Sequence, residues 1–120
     1  MSHHVKALRL VLLGEIHPAV VTDVDFDEPD GLRLDSALID AAGFVEHEKV
    51  ELYELSTGSR LSCQLRSGKS GEVALCGAAA LLIKPGVHIT IASFGWMKAR
   101  PASKHQPFIV RLDDDNRIIS

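Results

Sequence analysis

Apolar residues in this chain come in short runs, and nearly every run stops at a turn-forming cluster. Val50 and Leu52 alternate with Glu51 and Tyr53, Leu32 and Leu34 flank Arg33, and Val87 to Phe94 is rich in β-branched residues. Between such runs stand Asp30-Gly31, Thr57-Gly58, Ser67-Gly68-Lys69-Ser70-Gly71, Lys84-Pro85-Gly86 and Asp113-Asp114-Asp115-Asn116. A period of two, interrupted this often by glycine, proline, aspartate and asparagine, predicts many short strands rather than long helices. The architecture that accommodates them in a small chain is a β-barrel.

Taken in order, residues 6 to 13 with Ile16, Val20 and Val21 read as one long strand or two. Gly14 marks a bulge or a close approach, and Pro18 an edge or a bend. Asp23 to Asp30 is acidic and turn-like, followed by a short strand at Leu32-Arg33-Leu34. Asp35 or Ser36 can cap a helix carrying Ala37, Leu38, Ala41 and Ala42, which Gly43 ends. Lys49 to Leu55 and Arg60 to Leu65 form a hairpin across Thr57-Gly58, with Val50, Leu52 and Glu54 on one side of the first strand. Glu72 to Cys76 is a strand and Gly77 to Leu82 a tight helical turn. Val87 to Phe94 is the strongest strand. Ala99 to Gln106, with Pro101, is an irregular connection. Phe108 to Leu112 and Arg117 to Ile119 read as a closing hairpin.

The 120 residues suit a single domain spanning 1–120, and 46% apolar content supports a core. A domain this small buries a modest share of its surface, so association would help it. Thirteen basic against sixteen acidic residues leave a net charge of −3, without the basic stripe that binds nucleic acid. No apolar run has the length of a membrane span. Arg9 interrupts the N-terminal apolar segment, so that end lacks a signal-peptide layout. Cys63 and Cys76 are too few for a disulfide framework. Together these predict a cytoplasmic protein with reduced thiols. His3-His4 carries no weight in this reading.

Several blocks resemble the pyruvoyl-dependent aspartate 1-decarboxylases. They are Leu13-Gly14 through Ile16-His17 with Val21-Thr22, then Ile39-Asp40-Ala41-Ala42-Gly43, Thr57-Gly58-Ser59-Arg60, Cys76-Gly77-Ala78-Ala79-Ala80 and Ile91-Ala92-Ser93-Phe94. They follow the family's order and nearly its spacing, over roughly residues 8 to 119. The resemblance implies an all-β fold with small helices, the six-stranded double-psi β-barrel. It also implies a homotetramer with active sites between subunits.

In that family the chain cuts itself at a Gly-Ser bond, and the serine becomes the pyruvoyl cofactor. Counted without gaps from Gly14 and His17, that bond falls on Asp30-Gly31. Gly31 has no hydroxyl for an N→O acyl shift, and the nearest serine, Ser36, stands at the expected helix start. The expectation is therefore no self-cleavage and no pyruvoyl cofactor.

The resemblance also assigns candidate site residues. Arg60 matches the arginine that holds a substrate carboxylate, a task suited to a planar guanidinium fork. Glu15 stands in place of the active-site lysine and inverts the local charge; it could serve as acid or base, or be a solvated edge-strand glutamate. His17 matches a histidine near the site, either a proton shuttle or a structural ring. Tyr53 replaces a tryptophan that lines the pocket. Gln64 replaces the proton-donating tyrosine and cannot do its work. Cys63 replaces a pocket threonine and Cys76 the asparagine before Gly77, Ala78 and Ala79, whose main-chain N–H groups lie near substrate. A thiolate beside Arg60 would be a nucleophile or base, whereas two buried thiols would be core filling. Zinc-ligand spacing is lacking, so no metal is expected. Trp96 is expected to pack.

These substitutions lead to an expected enzyme of specialised metabolism, an isomerase, lyase or cyclase working without pyruvoyl. Its substrate would be a small carboxylate-bearing and possibly amine-bearing metabolite, handled by acid–base or thiol chemistry. A non-catalytic small-molecule-binding or regulatory homologue is the alternative. Aspartate 1-decarboxylation to β-alanine is placed last.

Overall fold

The computed structural model describes residues 7–120. His3-His4 and the strand start expected at Lys6 lie outside the described residues. The chain folds as β1 (Leu8–Val20), β2 (Asp23–Asp25), β3 (Gly31–Asp35), α1 (Ser36–Ala41), β4 (Lys49–Glu54), β5 (Arg60–Gly68), β6 (Val73–Cys76), a 3₁₀ helix (Gly77–Leu81), β7 (His88–Lys98), α2 (Ala99–Lys104) and β8 (Phe108–Val110). It is mostly strand with a few short helices, as the punctuated alternation predicts. The strands lie in the order β2-β6-β3-β5-β4-β7-β1-β8. Three neighbouring pairs are parallel, β3 with β5, β2 with β6 and β1 with β8. Parallel neighbours need crossing connections, which weave the sheet around one core. Leu32, Leu34, Leu52, Leu65, Leu75, Ile83, Ile89 and Ile91 are fully buried there. Burying each such side chain contributes about 1.5–3 kcal/mol.

Local chemistry accounts for several element boundaries. Asp35, rather than Ser36, caps α1: one carboxylate oxygen accepts from Ala37 N at 2.8 Å and the other from Gly71 N at 2.8 Å. Gly14 is a close approach, since a Cβ there would run into the Ala42 carbonyl. The pairing of β1 with β7 shifts register between Leu12 and Gly14, and again between Ile16 and Ala19, the step that holds Pro18. On β4, Val50, Leu52 and Glu54 turn inward.

Four expectations are corrected. The acidic stretch after Thr22 contains β2, recruited as a strand because β6 offers it a parallel partner. β7 continues four residues past Phe94, because Leu8 to Leu12 pair with it out to Lys98. The segment after it is α2, where Pro101 sits in the first turn and needs no N–H partner. The C-terminal run does not close as a hairpin of two strands. β8 adds in parallel to β1, and the residues after it meet 117–120 through the antiparallel bridge Leu112↔Ile118 and backbone bonds from Arg111 N to Ser120 O, Ile119 N to Arg111 O and Asp113 N to Arg117 O. Asn116 ties that end down by bonding both Val20 N (2.8 Å) and Val20 O (2.9 Å). Among the described residues, no helix is long and apolar enough to cross a membrane.

Candidate functional site

Three of the candidate residues, Arg60, Tyr53 and His17, lie along one row that Thr90 completes. Arg60 on β5 pairs with Tyr53 on β4, and Tyr53 pairs with Thr90 on β7. The row ends at His17 on β1, whose Nδ1 lies 2.6 Å from Thr90 Oγ1. The next row is Ser62, Glu51, Ala92 and Glu15. Arg60, His17 and Ser62 are exposed, and Tyr53, Glu51 and Glu15 half-buried. The Arg60 guanidinium carbon sits 4.4 Å from the centre of the Tyr53 ring, and among the described residues no carboxylate pairs with its N–H fork. Beyond His17 opens a cleft of about 560 Å³, lined also by Pro18, Leu55, Ser56, Gly86, Val87 and His88. At the other end of this face, Leu10, Phe94 and Trp96 form an apolar wall. Trp96 is 66% exposed, so the packing expected of it is absent within one chain.

The loop that delivers Arg60 is knotted by Glu54. Its carboxylate accepts from the hydroxyl and N–H of both Ser56 and Thr57, at 2.5–3.0 Å. The Ser56 hydroxyl, then that of Thr57, holds the carboxyl down at about 2. Sequence reasoning placed Glu54 on the same side of the strand as Val50 and Leu52 but missed this role. The signal was a glutamate followed at once by two short hydroxyl residues able to bond back to it.

The remaining candidates gather around the turn at residues 29–31. Gly31 pairs with Cys76. Gly77 has φ +62°, and a Cβ on it would come within 2.6 Å of Asp30 N. The Asp30 carboxylate accepts from Ala79 N at 2.9 Å. One of the main-chain donors expected to face substrate is thus occupied from within the chain. Arg66 donates to Pro29 O at 2.7 Å and to Asp30 O at 3.2 Å. Arg33 reaches the sulfur of Cys76 at 3.5 Å while it pairs with Asp25, Glu28 and Glu72. Arg66 and Arg33 were not singled out from sequence, since the carbonyls that Arg66 holds lie 36 and 37 residues away and Glu72 lies 39 from Arg33.

The cysteines do not stand beside Arg60. Cys63 points to the opposite face of β5, into the core. Burial, then the Asp30 carboxylate, pushes its thiol up to about 12. The expected low-pKa thiolate is corrected: Cys63 remains a thiol at neutral pH. Cys76 is fully buried. Gln64 is exposed opposite Lys49, and Ala78 is exposed on the 3₁₀ helix.

The family model described as aspartate decarboxylase matches residues 7–119. A protein named aspartate 1-decarboxylase from Clostridium beijerinckii is 37% identical over 90% of this chain and 89% of its own length. One of the same name from Corynebacterium efficiens is 38% identical over 94% of this chain and 85% of its own. Aspartate 1-decarboxylase 2 of Gloeobacter violaceus is 40% identical over 94% and 92%.

These relatives correct two expectations. The activity placed last is the one they are named for, which overturns the ranking that put a pyruvoyl-independent isomerase, lyase or cyclase first. The expectation of no cofactor conflicts with the pyruvoyl dependence of that family. The residues at the turn do not match a group made from serine at position 31. A Cβ there would meet Arg66 Nη1 and Gln64 O, each at 2.8 Å, and φ is +154°. The match over residues 7–119 and the mixed parallel and antiparallel barrel agree, and the chain belongs to the aspartate decarboxylase family, with its double-psi β-barrel fold.

Proposed function

We propose that this protein acts in the decarboxylation of aspartate at C1, which yields β-alanine. The observation that carries this reading is the set of relatives named aspartate 1-decarboxylase, 37–40% identical over at least 90% of the chain. The exposed Arg60 stacked on Tyr53 supports it, since this pair offers a rigid fork for one carboxylate of the substrate. His17 ends that row, and Glu15 and Glu51 are titratable groups of the next one. The proposed assembly is a homotetramer. Its interfaces would bring the open row of one chain to the Asp30–Ala79 cluster of another, since Cys63 and Arg60 face opposite ways on β5.

Position 31 bears most directly on the proposal, because Gly31 stands where the family's processing serine is expected. The test is release of labelled CO₂ from aspartate carrying the label at C1, with intact mass measured on the same sample. Release from C1 and not from C4, lost in Arg60→Ala, supports the proposal. A folded tetramer that releases none overturns it. Light scattering on a sizing column reports the assembly, and a monomer at micromolar concentration would refute the shared site.

A further inference from the structure

Thr90 is the buried polar member of the open row, only 5% exposed. Its Oγ1 lies 2.6 Å from His17 Nδ1, and among the described residues the hydroxyl has no other partner. Two proton arrangements fit that distance. If Nδ1 carried the proton and donated it, the threonine's own hydrogen would be left unpaired in a buried place, at a cost of about 1–3 kcal/mol. If Thr90 donates instead, Nδ1 is the acceptor and the neutral ring carries its proton on Nε2. The second arrangement satisfies both groups. The other edge of the exposed ring then lies in the cleft with Ser56 and His88. The charged and titratable groups around it are Tyr53 across β7, Glu15 two residues earlier on β1, and His88, whose Nε2 is 3.4 Å from Asp114.

We infer that Thr90 is a positioning residue that locks His17 in the Nε2–H form, so that the ring presents a fixed hydrogen-bond donor to a carboxylate or carbonyl oxygen of a ligand. This deepens the proposed function and rests on the open row being the ligand-binding face. β-Branched threonine suits the task, because branching at Cβ restricts χ1 and so limits where the hydroxyl points.

The test is long-range ¹H–¹⁵N correlation of the imidazole ring in the full labelled chain, recorded in mildly alkaline buffer for wild type, Thr90→Val and Thr90→Ser. Wild type is expected to show protonated Nε2 and bare Nδ1. Thr90→Val is expected to move towards a mixture of tautomers, and Thr90→Ser to restore the wild-type pattern, with all three melting within a few degrees of one another. A wild-type ring protonated on Nδ1 overturns the inference, even if the valine variant fails to fold. So does a valine spectrum identical to wild type, or a serine variant that behaves like valine. The spectra need no substrate. A chain with the expected tautomer but no CO₂ release therefore counts against the decarboxylation proposal alone.

Discussion

Across β5, β4 and β7, Arg60, Tyr53 and Thr90 stand side by side in register, and the Thr90 side chain carries the row on to His17 of β1. Around residues 29–31 the fixing is of another kind. Arg66 holds two carbonyls, Ala79 N–H holds the Asp30 carboxylate, and the missing Cβ of Gly77 lets the turn lie against the 3₁₀ helix. In the first region side chains hang from a scaffold that does not depend on them. In the second the side chains and absent Cβ atoms are the scaffold. The difference predicts that substitutions in the turn cluster will show in stability, and those in the open row in binding.

The largest effect is expected at Gly77. Valine there combines a positive φ with a Cβ 2.6 Å from Asp30 N, and should cost about 2–5 kcal/mol in a urea titration. A loss under 1 kcal/mol would mean the turn is not held as described. Next comes Arg60→Ala. Losing a charge-assisted hydrogen bond of about 1.5–3 kcal/mol should weaken binding of a carboxylate ligand roughly 10- to 100-fold in calorimetry. Stability should change by about 0.5–1 kcal/mol, from the lost stacking on Tyr53. An equal loss in both quantities would erase the contrast between the regions. Asp30→Asn should lower stability by about 1 kcal/mol through a weakened bond to Ala79 N. A variant as stable as wild type in the same titration would mean that the bond to Ala79 does not hold the turn.

The last effect, present at neutral pH and lost in acid, concerns the loop before Arg60. Glu54 is held at about 2 against a usual 4.5, so its contribution is whole above pH 4.5 and lost as pH falls through about 2. The advantage of wild type over Glu54→Gln in chemical denaturation should therefore shrink across that window. A gap that stays constant down to pH 2 would show that the carboxylate does not knot the loop.

What could be read from residues alone was local. The alternation of Val50, Leu52 and Glu54 sets one face of β4, because neighbouring side chains in a strand point opposite ways. Asp35 caps α1 through a bond two residues away, and Gly43 ends that helix with φ +72°. The Arg60 position after Thr57-Gly58, and the Gly77–Ala79 turn, were likewise legible as short motifs. Tertiary structure decided what depends on pairs far apart in the chain. His17 meets Thr90 across 73 residues, and Asp30 meets Ala79 across 49. Parallel pairing placed β8 on β1, and the inward turn of Cys63 kept its thiol protonated. A side chain's immediate neighbours constrain its backbone, whereas its charge state and partners follow from which strand arrives beside it.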